Sequence, residues 1–182
     1  RGSFDSTLKY AKRSLPMARK IDNTKILARI HYNLGMTYTN LVKYDSATFY
    51  LEAAQKFMPL VKDTALQVNC YNAQALLCNY QSDFSTATLY LTKAAELIDH
   101  STSVKLKQLL SQIYGNIGHN LIAEKQIEKG IEYSKKALLQ KNYPSEARYK
   151  TLLYLDLFDA YVQLKNVVLG KKYLDSAIIL NR

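Results

Sequence analysis

The chain has 182 residues, of which 48% are hydrophobic, and a formal net charge of +10 at pH 7. This hydrophobic content supports a packed core and argues against a disordered chain. No apolar run approaches the roughly 18 residues of a membrane-spanning helix. With only three prolines and six glycines to interrupt it, the sequence favours long helices in one globular domain or a short repeat array.

Taken in order, the chain is predicted to form nine helices, because apolar residues recur at three- and four-residue steps. Ser101 or Thr102, and Ser145, are the expected N-caps, since a side-chain oxygen can accept from a free helical amide. Pro16 is expected to kink or shorten the first helix, because proline removes an amide and clashes with the preceding turn. The predicted helices cover roughly these ranges, with boundaries good to about two residues: 4–20, 24–41, 45–60, 63–81, 84–98, 102–122, 126–141, 145–164 and 167–181.

The chain repeats itself. Five similar segments follow one another at offsets of 40 or 43 residues, and they begin at Phe4, Tyr44, Phe84, Ile127 and Val167. Each carries a small residue at an equivalent later position: Ser14, Ala54, Ala94, Ala137 and Ala177. Another set of similar segments lies between them and begins at His31, Tyr71, Tyr114 and Tyr154. Two alternating helix types, which we call first and second helices, explain this pattern.

The best-preserved copy runs from His31 to Pro59 and reads HYNLGMTYTNLVKYDSATFYLEAAQKFMP. Small residues at Gly35 and Ala47 are spaced for the close approach of two antiparallel helices. The pattern resembles the tetratricopeptide repeat family, with His31 in the usual Trp position and Leu51 in place of Phe. We expect His31 to act in packing. The longer period is similar to that of extended subfamilies, such as the kinesin light chain type and bacterial peptide-sensing regulators.

This resemblance implies an all-α, right-handed superhelical solenoid of antiparallel helix pairs, with about four and a half repeats. We expect a single array over 1–182, with a half repeat at 1–22 and repeats at 23–61, 62–100, 101–143 and 144–182. Both ends of the array fall on second helices, so we expect an excerpt of a longer protein and self-association through its open ends. Close helix contacts are expected at Gly35, Ala47, Ala75, Ala87, Gly118, Gly130 and Gly170.

No catalytic, cofactor or metal-binding constellation is found in the sequence, so we predict neither an enzyme nor a cofactor. None of the three histidines stands in an HExxH motif, and phosphate-binding and nucleophile-elbow motifs are missing. The Gly115-x-x-Gly118 spacing favours close helix packing over phosphate contact. Asp156 and Asp159 lie three residues apart, which is typical of a solvated helix face.

The basic residues concentrate in the predicted second helices, which form the outer, convex side of tetratricopeptide arrays. A solvated face is therefore the favoured interpretation. Nucleic-acid binding is the weaker alternative, because it would need basic residues along one groove with aromatic residues between them. A salt series on nonspecific DNA would separate the two. The residues concerned are Lys9, Lys12, Arg13, Lys129, Lys135, Lys136, Lys171 and Lys172.

Asparagine is unusually frequent in the predicted first helices, which hold seven of the eleven asparagines. Asparagine forms helices poorly, because its side chain competes for backbone hydrogen bonds. In the tetratricopeptide fold the first helices line a concave groove, and Asn33, Asn72 and Asn116 occupy groove-facing positions there. Their amides could pair with the backbone of a bound peptide. Asn40 and Asn79 are interpreted as helix ends, and Asn120 is expected to face elsewhere.

The resemblance implies a module that binds an extended peptide or a partner helix in its groove, as the sensor or interaction region of a larger bacterial signalling protein. The alternative is a structural scaffold that acts through its ends or convex face, with no groove ligand. The lysine, asparagine and arginine set that clamps a chaperone carboxylate cannot be assembled, and no small-molecule substrate or membrane is inferred. The predicted groove residues are Asn33, Asn69, Asn72, Asn116, Arg29, Tyr32, Met36, Tyr80, His119 and Asp159.

Overall fold

The computed structural model describes residues 2–20, 23–140 and 147–180, and in these ranges the chain forms helices and no strand. None of the described helices is long and apolar enough to cross a membrane. Met58–Leu60 forms a 3₁₀ turn after the third helix. The helices are α1 (Gly2–Lys20), α2 (Thr24–Asn40), α3 (Tyr44–Phe57), α4 (Thr64–Tyr80), α5 (Phe84–Asp99), α6 (Val104–Lys107), α7 (Leu110–Ala123), α8 (Ile127–Leu138), α9 (Ala147–Gln163) and α10 (Val167–Leu180).

One predicted helix is wrong in its continuity. The range 102–122 contains two helices, α6 and α7, because the chain tightens at Leu109, whose amide donates to the Leu106 carbonyl at 2.9 Å. The N-cap of α6 is Ser103 rather than Ser101 or Thr102, since its hydroxyl accepts from the Leu106 amide at 3.4 Å. Ser101 instead accepts from the Ser103 amide at 3.1 Å. The predicted cap Ser145 lies outside the described residues.

Pro16 does not shorten α1, which continues from Gly2 to Lys20 with the proline inside it. Proline removes the amide that would pair with the carbonyl of residue 12. Lys12 and Pro16 are both exposed, so water can solvate that carbonyl. The expected truncation therefore does not occur, and Ala18 is buried beyond the proline.

The described chain divides into two compact units, residues 1–81 and 82–182. In the first unit α2 packs against α1, α3 and α4. In the second unit α7 packs against α5, α8 and α9, and α9 packs against α10. Only three residues join α2 to α3, α7 to α8 and α9 to α10, so each of these pairs is an antiparallel hairpin of helices.

The turns that follow the first helices share one backbone feature. Each contains a residue with positive φ, namely Val42 (59°), Ser82 (61°), Lys125 (65°) and Lys165 (58°). This left-handed conformation crowds the Cβ atom of an L residue against the following carbonyl. The four turns therefore have one geometry although none of them uses a glycine.

The small residues expected at helix contacts are all buried. A Cβ atom added to Gly35 would lie 2.6 Å from the Leu51 side chain, and one added to Gly118 would lie 3.0 Å from the Gly130 carbonyl oxygen. Gly170 is less crowded, because a Cβ atom there would make only ordinary contacts at 3.5 Å or more. The predicted close packing is therefore tight in α2–α3 and α7–α8 and looser in α9–α10.

His31 is a packing residue, as the sequence predicts. It is 5% exposed, stacks on Phe57 with a centroid distance of 5.8 Å, and lies at the same distance from Tyr50. Its Nδ1 atom has no partner within the described chain. Burial, aided by the positive charge of Arg19, lowers the pKa of His31 below its ordinary value.

Candidate peptide-binding face

In the first unit, three of the predicted groove residues on the first helices α2 and α4 are exposed asparagines: Asn33, Asn69 and Asn72. None of their side-chain amides has an intramolecular partner among the described residues. Each amide presents two donor hydrogens and an acceptor oxygen. This face can therefore hydrogen-bond a ligand without first breaking a contact within the protein.

Arg29 lies on the same face but already has a partner. Its guanidinium is 3.5 Å from the Asp63 carboxylate, which also pairs with Lys25 at 2.8 Å and accepts from the Leu66 amide as the N-cap of α4. The Lys25 hydrogen bond is the main reason that the pKa of Asp63 lies below its ordinary value. Arg29 thus helps to tie α2 to the start of α4 while most of its side chain stays exposed.

The predicted apolar contacts of this face differ in exposure. Tyr32 and Met36 are half-buried and pack against the core, and burial raises the pKa of Tyr32. Tyr80 is exposed and stacks on Tyr44 at a centroid distance of 6.2 Å. Tyr80 is therefore the most accessible of the three to a partner.

In the second unit, His119 and Asp156 join the first helices α7 and α9. His119 Nδ1 lies 2.9 Å from Asp156 Oδ1, and the edge of Phe84 contacts the imidazole at 6.3 Å between centroids. The hydrogen bond to Asp156, with a smaller contribution from Asp159, raises the pKa of His119. The pair brings a predicted groove residue together with a carboxylate that the sequence analysis took for a solvated group.

A pocket of about 240 Å³ opens beside this pair. Gly115 permits the close approach of α9 to α7 beside the pocket, because a Cβ atom there would lie 2.8 Å from Leu153 and would also meet the Tyr149 hydroxyl. That hydroxyl donates to the Gln112 carbonyl at 2.8 Å, which fixes the tyrosine ring. The lining residues are Gly115, Asn116, His119, Tyr149, Leu152, Leu153 and Asp156.

Asp159 lies outside this lining but close to it. It is exposed and accepts from Gln163 Nε2 at 2.7 Å, while Lys125 Nζ donates to Gln163 Oε1 at 2.9 Å. The Lys125–Gln163–Asp159 chain therefore stands beside the pocket, with Asp159 near enough to influence the pKa of His119.

Two residues of this pocket, Asn116 and His119, are among the predicted groove residues, whereas Leu152 and Asp156 are not. In the tetratricopeptide fold the second and sixth places of the repeat are among those that face the groove. Asn33 is sixth from Ala28 and Asn116 is sixth from Ser111. Counted from the equivalent Thr151, Leu152 is second and Asp156 is sixth, so the same rule selects both. Tyr149 precedes Thr151, where the count begins, so only the folded structure shows that Tyr149 lines the pocket.

The other first-helix asparagines have different environments. Asn120 is fully buried, and neither atom of its amide has a partner within the described chain. Asn79 is half-buried with an unpartnered oxygen, and Asn40 ends α2 in an exposed position. The expectation that Asn120 faces elsewhere is therefore confirmed.

Several second-helix lysines contact aromatic rings. Lys12 Nζ lies 5.9 Å from the centroid of Tyr38, which stacks on Tyr50. Lys135 makes the same kind of contact, at 5.6 Å, with Tyr161. These contacts give part of the basic charge a packing role within each unit.

Comparisons with known proteins find one matching family model and several similar structures. The tetratricopeptide repeat model matches residues 28–57 and 111–142. A comparison with the curated protein sequences finds no match. The crystal structure of BtubC (BKLC) from P. vanneervenii is similar to this chain, with a TM-score of 0.87 and 16% identity. The similar region covers 99% of this chain and 74% of the BtubC chain.

Two further structures resemble the chain at 17% identity and a TM-score of 0.65. One is MamA 41-end from Desulfovibrio magneticus RS-1, with 98% of this chain and 95% of that chain covered. The other is from the APC/C hetero-tetramer Cut9-Hcn1, with 97% of this chain and 33% of that chain covered. At these identities the likeness shows the fold, which is the all-α tetratricopeptide solenoid that the sequence predicts. The matched segments cover most of α2–α3 and α7–α8, so these two helix pairs carry tetratricopeptide repeats.

Proposed function

We propose that this protein binds an extended segment of a partner protein along the exposed faces of its first helices. Tetratricopeptide repeats serve as protein-interaction or scaffold modules and are typically non-catalytic. The observation that carries the proposal is the set of exposed, unpartnered amides at Asn33, Asn69 and Asn72. Asn116, which lines the pocket of the second unit, is half-buried, and its amide also has no partner among the described residues.

The chemistry of these amides fits an extended peptide. Each amide can donate to a peptide carbonyl and accept from a peptide N–H, so it reads the main chain and not one particular side chain. Asparagine carries an intrinsic cost of several tenths of a kcal/mol relative to alanine in a helix. A binding role accounts for this cost in helices whose second-helix neighbours lack asparagine.

The extended repeat length, which resembles that of bacterial peptide-sensing regulators, supports a sensor or interaction region as the setting. Protein and peptide are accordingly the partners that we propose. We assign no small-molecule substrate, cofactor or catalytic step to the chain.

The test is the triple variant N33A/N72A/N116A, titrated with a peptide selected on the wild-type protein from a random pool. Each lost hydrogen bond weakens binding by about 0.5–1.5 kcal/mol, so we expect the triple variant to bind at least about tenfold more weakly. Its melting temperature should stay the same or rise, because alanine is the better helix former. The variant Q81A/Q108A, which removes exposed amides outside these faces, is the control.

A triple variant that melts several degrees lower and binds unchanged would show that the asparagines are structural. The scaffold function would then take precedence. One observation favours that second candidate: α10 exposes an apolar surface at Val167, Val168, Ile178 and Ile179, and Val168 is 82% exposed. Such a surface suits association with another protein or a second copy.

A further inference from the structure

We propose that the pocket between α7 and α9 is an anchor site for an arginine side chain of the bound partner. The inference rests on the proposed function, since the arginine belongs to the peptide that the first-helix faces bind. It goes further by naming the side chain that the second unit selects.

The polar groups of the pocket are mainly acceptors. Asp156 uses one carboxylate oxygen for His119, and its other oxygen has no partner among the described residues. The Asn116 amide is half-buried and also unpartnered there. A neutral His119 that donates from Nδ1 to Asp156 keeps Nε2 as an acceptor. Three acceptors on one rim call for a ligand that carries several donors.

The walls of the pocket suit the stem of a long side chain. Leu152 is 51% exposed, Leu153 is buried beside it, and the absent side chain of Gly115 lets Leu153 and Tyr149 pack closely against α7. Methylene groups of arginine and lysine pack along such apolar surface while their charged ends stay polar. A pocket of about 240 Å³ is smaller than typical sites for drug-sized ligands, so it fits one side chain better than a cofactor.

The charges around the pocket favour a cation. Two carboxylates, Asp156 and Asp159, face His119 from α9, and both raise its pKa. From α5 the contact is Phe84, which is uncharged. The cation in the turn after α7, Lys125, bonds to Gln163 and reaches Asp159 only through that residue. A carboxylate ligand would therefore meet like charge, whereas a guanidinium would meet opposite charge.

Arginine matches this site better than lysine. Its planar guanidinium has five N–H donors in a fixed fork and can serve a carboxylate and an amide oxygen together. A lysine ammonium is a compact, strongly hydrated charge that matches fewer acceptors at once.

The His119–Asp156 pair makes arginine binding sensitive to pH. Protonated His119 neutralises Asp156 and turns Nε2 from an acceptor into a donor. Bound arginine and the proton on His119 therefore oppose each other. Because the hydrogen bond to Asp156 raises the pKa of His119, binding should be strongest at a pH above that pKa and should weaken as the pH falls through it. By reciprocity, bound arginine should lower the pKa of His119.

The experiment is an NMR titration of the whole chain with Nα-acetyl-arginine N-methylamide, observed at the Leu152 and Leu153 methyl groups and the His119 ring. The neutral citrulline analogue and the acetyl-glutamate analogue serve as matched probes. We expect arginine to bind at pH 8 and to lower the pKa of His119, with clearly weaker binding at pH 5.5. Asp156→Asn should weaken arginine binding about tenfold, as the loss of one charge-assisted hydrogen bond implies. The control Asp99→Asn removes an exposed carboxylate of α5 and should change nothing.

Equal binding of arginine and citrulline, an unaffected Asp156→Asn variant, or tighter binding of the glutamate analogue would each overturn the inference. If Asp156→Asn fails to fold, His119→Gln tests the same point: a glutamine amide can still donate to Asp156 but does not titrate, so arginine binding should persist with little pH dependence.

The arginine probe has no peptide chain beyond its caps. Failure of this probe, while N33A/N72A, which leaves the pocket intact, still weakens the selected peptide, would reject the arginine anchor alone. The reverse result would reject the amide-based peptide binding alone.

Discussion

The helix pairs α2–α3 and α7–α8 carry the same family signature but bring their helices together in different ways. In α2–α3 the glycine Gly35 faces the bulky Leu51 side chain. In α7–α8, Gly118 faces the backbone of Gly130 and Ser134, both within 3.0 Å of where a Cβ atom would stand. In the first pair a glycine thus packs against a large side chain, and in the second it packs against the small Ser134 hydroxyl with backbone directly behind it. A repeat motif fixes where two helices approach, and the local residues decide how much the contact can yield.

The largest effect should come from a methyl group at the backbone contact. Gly118→Ala would place a Cβ atom against Ser134 and the Gly130 carbonyl, and we expect a loss of about 1–3 kcal/mol in the free energy of unfolding. Gly35→Ala should cost less, because a side chain yields more easily than backbone. Urea denaturation of both variants measures the difference.

Gly170→Ala is the control for both substitutions. A Cβ atom at Gly170 meets only ordinary contacts, so the better helix propensity of alanine should leave this variant unchanged or about 0.5–1 kcal/mol more stable. A stable Gly118→Ala variant would contradict the close backbone contact in α7–α8.

The turns of the two pairs offer an effect of intermediate size. Val42 and Lys125 both have positive φ, but the β-branched valine fits this conformation worse. We expect Val42→Gly to raise the free energy of unfolding by about 1 kcal/mol, since a left-handed L residue costs about 1–2 kcal/mol and glycine has its own entropic cost. Lys125→Gly should gain less in the same thermal or urea melt. Equal gains at the two sites would mean that branching at Cβ does not matter there.

The smallest effect is the change of stability with pH, which should have opposite signs for His31 in α2–α3 and His119 in α7–α8. Burial lowers the pKa of His31, so its neutral form is favoured in the fold and stability should fall as the pH drops below the unfolded value near 6.5. Asp156 raises the pKa of His119 in the folded protein. The stability that the His119–Asp156 contact contributes is therefore complete below the pKa of His119 in the unfolded chain, and it is lost as the pH rises through the pKa of His119 in the folded protein.

Two variants separate these contributions in urea melts at pH 5.5 and 7.5. His31→Tyr, which introduces the residue found at the equivalent position Tyr114, should remove the acid-side loss. His119→Gln should remove the opposite trend, by no more than about 1 kcal/mol, because the His119 side chain is 55% exposed and water screens the pair. Parallel pH profiles for wild type and His31→Tyr would contradict the influence of burial on His31.

Much of the fold could be predicted because each repeat carries its own information. Gly35, Ala47 and Gly118 stand at fixed spacings, and only small residues suit helices that approach so closely. The break between α6 and α7 could not be predicted, because Leu106 and Leu109 continue the apolar helical spacing and only the backbone geometry interrupts it.

The candidate face was predictable only in part. Counting positions along the helices selects Asn33 and Asn116 as groove residues. It does not show that Arg29 already pairs with Asp63. Nor does it show that Asp156 would meet His119, since those residues are 37 positions apart and belong to different helices. Pairing between side chains depends on distances across helices, which sequence periodicity does not contain.

The break between α6 and α7 also has a consequence for helical phase. Nineteen residues separate the cap Asn23 from Val42, whereas twenty-two separate the cap Ser103 from Lys125. Three extra residues wound as α-helix would rotate everything beyond them by about 300°. Wound three to a turn, like the bond from Leu109 to Leu106, they complete one full rotation. The tight turn therefore accommodates three extra residues without rotating the exposed face of α7. In a continuous helix the same insertion would turn that face away, whereas here Asn116 keeps the helical position that Asn33 has in α2.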